Sequence, residues 1–433
     1  MKSPALAAYG MLGLPLAMAM LPIYVLVPNF YAADLGLGLT LTGAVLFLAR
    51  LADTVQDPWL GRLIDRRSPR GWTILLGGVA VLLSLAMAAL LIPPGNFGSF
   101  GLAAWLGALL ALTYTLHSLI NITYLAWGAR LSDQPDTRTR VAAWREGAGL
   151  FGVVLASVLP TVLATRYGMA TALATFAVTF AVLLLAGTAT LLFGAPRPHR
   201  TVRSEASSWR LPLRNPAFRR LAGVYFINAV AVAIPATLAL FFIADRLQLA
   251  RLTGLFLALY FISGALGLPL WTRLADRIGK RRSWRIGMLT ACAAFIWAVL
   301  LEPGSAWAYA GVCMMSGLAL GADLALPPAL LADIIPVEER DSTAAYFGLW
   351  SFLAKLALAL AGLALPLLAL SDYQPGNAAG WLGPYAKESE LQDPWKNPIE
   401  YRIPGETQRF DLVSLGADGQ AGGDSVNADI KNE

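Results

Sequence analysis

The sequence predicts an all-α polytopic membrane protein: two helical bundles followed by a short, β-rich polar tail. Three observations carry this. Only 14% of the 433 residues are charged and 57% are hydrophobic, with a mean hydropathy of +0.59, whereas a soluble domain carries about 25% charged residues. Apolar runs of roughly 20 residues, the length that spans a bilayer, recur almost to residue 370 and then stop. The connections between the runs alternate between arginine-rich and free of basic residues, as loops on opposite membrane faces do.

Eleven spans are predicted, near 7–31, 39–60, 72–93, 100–127, 142–165, 169–193, 219–243, 252–272, 285–301, 305–331 and 343–370. Basic loops follow the second, fourth, sixth and eighth spans, which sets the N-terminus on the cytoplasmic side of a bacterial inner membrane. An odd number of spans then puts the tail in the periplasm. The first apolar run lacks a clear small-residue cleavage site and reads as a spanning helix, not a removed signal. Residues 1–193 form a six-helix bundle, 194–218 a cytoplasmic link, 219–372 a five-helix bundle and 373–433 the tail. The net charge of +6 sits in short loops, so it marks membrane topology and not a nucleic-acid partner. Cys292 and Cys313 lie inside apolar runs and read as small core residues, without a disulfide or metal framework.

An internal repeat supports the division into halves. GRLIDRRSPRG at 61–71 and TRLADRIGKRR at 272–282 place Arg-Leu-x-Asp-Arg after the second helix of each half. Paired bundles around a central site are a common build of secondary transporters. Ionisable residues inside the spans are the most informative, because a charge at mid-bilayer costs at least about 2.5 kcal/mol. Asp53 and Asp57 are four apart and share a helix face with Arg50. Two such carboxylates repel unless a cation, a proton or a basic side chain lies between them. Pro58 removes a backbone donor beside them. Lys355, alone in an apolar span, needs a carboxylate partner, and this pair is the natural one. Arg145 and Glu146 open the fifth span, His117, Asn121 and Tyr124 lie in the fourth, and Asp323 and Asp333 in the tenth. The plainer reading of all of these is interhelical pairing or loop-end charge.

The motifs carry a resemblance. YG at 9–10, RLADTVQDPWLG at 50–61, NITY at 121–124, WR at 144–145, ALPPALLAD at 325–333 and AYFGLW with Lys355 at 345–355 make residues 1–376 similar to the glycoside–pentoside–hexuronide:cation symporters of the major facilitator superfamily. The resemblance implies that Asp53 and Asp57 bind Na⁺ or H⁺, that Lys355 lies beside them, and that Arg145 and Asn121 line a solute site; Tyr124, near the face of Asn121, is expected to help hold the solute. Two departures weaken a sugar assignment: Ala17 and Asn121 stand where the melibiose-permease type has acids.

After Asp372 the composition changes. Residues 385–433 hold ten acids and five bases, with prolines and glycines that predict strands and turns. The stretch from Gly380 resembles the C-terminal half of the major pseudopilin of type II secretion. That resemblance implies a calcium loop with the Leu415 carbonyl, Asp418, Asp424 and Asp429 as ligands, and type II secretion components as partners. Lys396 stands where that family has Gly, and Glu433 where it often has Trp. The family's twelfth helix is expected to be missing, with a join near 373–381. No nucleophile–base pair, phosphate loop or cofactor motif is present, so no enzyme is expected. Three readings follow: a cation-coupled carrier of a sugar or other small solute, a membrane-anchored secretion component acting through its calcium-binding tail, and a truncated carrier without function.

Overall fold

The computed structural model describes residues 3–94, 97–198, 208–362, 392–402 and 411–431. The chain divides into two compact units, Met1–Asp372 and Tyr373–Glu433. The first unit is helical. Its first bundle comprises α1 (Ser3–Gly10), α2 (Gly13–Asn29), α3 (Leu39–Asp65), α4 (Pro69–Leu91), α5 (Ser99–Ala129), α6 (Pro135–Tyr167) and α7 (Met169–Gly194). After a one-turn α8 (Leu211–Arg214), the second comprises α9 (Pro216–Phe241), α10 (Thr253–Ile278), α11 (Lys280–Val299), α12 (Ala306–Ile334) and α13 (Thr343–Gly362).

Each expected span has its helix, with α1 and α2 forming the first. Nine segments among the described residues are long and apolar enough to cross a membrane by composition. α3 and α11 fall outside that group. α3 carries Arg50, Asp53, Asp57, Arg62 and Asp65, and α11 opens on Lys280-Arg281-Arg282. The expected span at 142–165 begins at Pro135 instead, because helix continues past the apolar run through residues that pair with α12. The expected link at 194–218 likewise ends early, where Asn215 caps α9 by accepting from the amides of Ala217 and Phe218.

Aromatic side chains fill the first bundle, with Trp72, Trp127, Tyr9, Phe176 and Phe180 fully buried. Large apolar residues also face outward, among them Phe193 at 90% and Trp307 at 93% exposure. A water-soluble surface tolerates no such belt; lipid does.

The halves meet where α3 packs on α13, α5 on α13, and α6 on α10 and α12. The α3–α13 contact is backbone to backbone. A Cβ at Gly61 would stand 2.4 Å from the Ala344 carbonyl oxygen, and one at Gly348 would stand 2.6 Å from that of Asp57. The repeated Asp-Arg motifs sit at this same basic end. Asp65 accepts from the amides of Ala344 (2.9 Å) and Ala345 (2.7 Å), capping α13 from the opposite bundle. Its repeat partner Asp276 pairs with Arg140 of α6 at 3.6 Å. Arg138 joins Asp333 at 3.0 Å, and Arg340 joins Asp133 at 2.7 Å. The basic face is therefore latched shut by reciprocal polar contacts between halves.

The described part of the second unit is a three-stranded antiparallel sheet of β1 (Glu400–Arg402), β2 (Asp411–Ser414) and β3 (Ile430–Lys431), with β2 central. Val413 is its fully buried residue. This matches the β-rich tail expected. The stretch that bears on a twelfth helix and on a join at 373–381 lies outside the described residues, as does Glu433.

Candidate functional site

α3 places Asp53 and Asp57 one turn apart on the face that meets α13, and both are buried. Lys355 of α13 reaches across to them. Its Nζ lies 2.6 Å from Asp53 Oδ1 and 2.9 Å from Asp57 Oδ2. The ammonium also donates to Ser118 Oγ of α5 at 2.8 Å and to the Asp53 carbonyl at 3.2 Å. Ser351, one turn before Lys355, donates to Asp57 Oδ2 at 2.5 Å. Gln56 donates to Asp53 Oδ1 and accepts from Thr115. Arg50 is 3.6 Å from Asp53 Oδ2, and its guanidinium lies over the ring of Tyr24.

The ammonium thus lies among carboxylate, hydroxyl and carbonyl oxygens. The sequence brought together Asp53, Asp57, Lys355 and Arg50, and the structure places them in one cluster. It missed Ser118, Ser351, Gln56 and Thr115. The i,i+4 spacing of Ser351 and Lys355 could have found the first contact on α13; Ser118 needed the packing of α5 on α3. Pro58 frees the Thr54 carbonyl, yet the carbonyl that takes the lysine is that of Asp53.

Beside this cluster, between the two bundles, lies a cavity of about 390 Å³. Arg145, Asn121 and Tyr124 line it, with His117, Glu146 and Asp323. Arg145 pairs with Glu146. The Tyr124 hydroxyl donates to the Tyr9 carbonyl at 2.6 Å, and Tyr9 returns a bond to the Tyr124 carbonyl, so Tyr124 offers its ring more than its hydroxyl. Tyr225 and Trp350 stack with centroids 3.7 Å apart and form an aromatic wall on the second bundle. Asp323 Oδ1 accepts from Trp284 (2.6 Å) and Asn228 (3.1 Å). Asp333 belongs instead to the latch, held by Arg138 and Lys280. Ala17 also lines the cavity.

In the tail, Asp393 accepts from the amides of Trp395 and Asn397 and from Ser414. Partial burial raises its pKa, but these bonds outweigh that and hold it below the usual carboxylate value. Lys396 adopts φ +70°, the left-handed region that suits the glycine expected there. Among the described residues, no three acidic, histidine or cysteine side chains gather into a metal-ligating group. Asp418 accepts from the Gln420 amide and Asp429 Oδ2 from that of Gly422. These carboxylates close the glycine-rich loop upon its own backbone. Asp429 Oδ1 is buried without a hydrogen-bond partner among the described residues.

Two helical bundles, a cavity between them and an ion cluster at their contact define a secondary transporter. The chain belongs to the MFS/sugar transport protein family, whose model matches residues 6–382. It is 25% identical over 368 residues to the glucuronide carrier protein homolog of Escherichia coli, covering 80% of this chain and 79% of that one. A bacterial homologue of the iron transporter ferroportin, solved in an outward-facing state, superposes with a TM-score of 0.63 at 16% identity, covering 86% of this chain and all of that one. Residues 365–433 match the type II secretion system protein G model. There the chain is 64% identical over 58 residues to the type II secretion system core protein G of Xanthomonas campestris, of which it spans 41%. The protein is therefore a membrane transporter for small solutes, not an enzyme, with a secretion-protein-like C-terminal piece.

Proposed function

We propose that this transporter couples solute movement to Na⁺ or H⁺ by alternating access, with Asp53 and Asp57 as the cation site. The observation that carries this is Lys355 seated between the two buried carboxylates. A buried carboxylate pair without a cation is costly, so the lysine holds the empty site and the arriving cation displaces it. Lys355 belongs to α13 and the carboxylates to α3. Displacement removes a polar tie between the halves, next to the glycine contact and the Asp65 latch. Occupancy of the cation site is thereby linked to which face of the cavity opens.

The solute is a sugar or related small organic molecule held by Arg145, Asn121 and Tyr124 against the Tyr225–Trp350 wall. A glucuronide is the first solute to try, since a relative carries that name. The basic face is cytoplasmic, so the latched conformation faces outward. Uptake into membrane vesicles under imposed Na⁺ or H⁺ gradients tests the coupling. Asp53→Asn and Asp57→Asn should abolish gradient-driven uptake; gradient-driven uptake at the unsubstituted rate would disprove it.

A second reading concerns the tail. Its likeness to secretion protein G and the unpartnered Asp429 Oδ1 favour a periplasmic module that binds Ca²⁺ and meets secretion components. Titrating Ca²⁺ into the purified full chain should slow amide exchange across 415–429 only if the loop closes on the ion. Unchanged exchange at saturating Ca²⁺ removes this reading and leaves the carrier reading untouched.

A further inference from the structure

Apart from the central cavity, a groove of about 400 Å³ lies at the basic end of the second bundle, between α9, α11 and α12. Arg220 of α9 and Arg281 and Arg285 of α11 line it, with Trp284 as its aromatic side. Arg281 and Arg285 are one turn apart, so their guanidinium groups rise from one helix face toward Arg220. All three are exposed, and none has a carboxylate partner among the described residues. This sets them apart from Arg130, Arg138, Arg140 and Arg145, which are all paired. Three like charges around one groove repel until an anion with several oxygens joins them. Guanidinium forks match phosphate oxygens in pairs.

The rest of the lining is apolar, including Val224, Met288 and Leu330. Outward-facing Val224 (50% exposed), Ile227 (71%) and Leu289 (66%) continue that surface along α9 and α11. Inorganic phosphate would satisfy the arginines but leave this apolar track uncovered. A zwitterionic lipid would bring its ammonium among three guanidinium groups. We propose that the groove docks an acidic phospholipid, with its phosphate on Arg220, Arg281 and Arg285 and its acyl chains along α9 and α11. Basic pockets between helices at the cytoplasmic face suit such headgroups. Trp284 connects the groove to the transport cavity, because its indole N–H holds the Asp323 carboxylate at 2.6 Å. Lipid packed on that indole fixes Asp323 at the cavity wall.

The test is lipid retention by the full chain. The protein is purified, exposed to mixed micelles of equal phosphatidylglycerol and phosphatidylcholine, and analysed by native mass spectrometry. The unsubstituted chain should retain phosphatidylglycerol preferentially. Each arginine replaced by glutamine should lower that preference roughly fivefold, the fold-change equivalent to about 1 kcal/mol per basic side chain. Arg67→Gln/Arg70→Gln, on the basic loop of the other half, should leave it unchanged. Should a variant at Arg220 or Arg281 not purify intact, Arg285→Gln alone gives the same reading. An unaltered preference in the arginine variants, an equal loss in the Arg67→Gln/Arg70→Gln control, or displacement of the lipid by excess inorganic phosphate would each overturn the proposal. None of these outcomes depends on transport, so they judge the lipid site separately from the cation site.

Discussion

Lys355 ties α13 to the buried carboxylates of α3. Its ammonium bridges two carboxylates that are almost fully buried. Removing one partner of such a buried group costs about 3–5 kcal/mol, because the remaining charge is left uncompensated. Lys355→Ala should therefore lower the thermal unfolding midpoint in detergent by several degrees, and adding Asp57→Asn should restore most of it. A destabilised Lys355→Ala that Asp57→Asn does not rescue would mean the lysine acts through packing. In the tail, Lys396 has the opposite character. It is exposed, yet held at φ +70°, a backbone region that costs a non-glycine residue about 1–2 kcal/mol. Lys396→Gly should slow exchange of the Trp395 and Asn397 amides, measured in the full chain by hydrogen–deuterium exchange. Faster exchange in the variant would show that the side chain contributes more than its backbone strain costs.

Among the helices, α3 and α13 form the pair that carries the proposed cation site. They touch through Gly61 and Gly348 at the basic end, and through Lys355 nearer the middle. A side chain at Gly348 would meet the Asp57 carbonyl oxygen, a backbone atom that cannot step aside without moving α3. Gly348→Val should force the two helices apart at the latch. A cysteine introduced by Ser342→Cys, buried immediately before α13, should then be alkylated several-fold faster. No change in that rate would mean that the glycine contact does not hold the latch. The Arg-Leu-x-Asp-Arg repeat was visible as a sequence symmetry; its meaning as two reciprocal latches, Asp65 on α13 and Asp276 on α6, needed the packed bundles.

The two units make a prediction for the molecule as a whole. The transporter family match reaches residue 382, and the cation cluster and cavity lie entirely within the first unit. Truncation after residue 382 should leave gradient-driven uptake near that of the full chain. Loss of uptake with normal insertion would show that the tail contributes to transport.

Chemistry that is local along the chain was legible in the sequence. Apolar length gave the spans, and four-residue spacing the shared face of Asp53 and Asp57. Each of these properties is set by residues within a turn or two, or by transfer from water to lipid. Glycine and proline density likewise marked the tail as strand and turn. The tertiary structure alone decided which side chains complete the cluster. Ser118 and Thr115 enter it because α5 packs on α3, a contact that no periodicity encodes. It also decided that Asp333 latches while Asp323 faces the cavity, although both lie on one helix. Inside a bundle, a charge is settled by its neighbours from distant helices, and the sequence carries that information only through the fold.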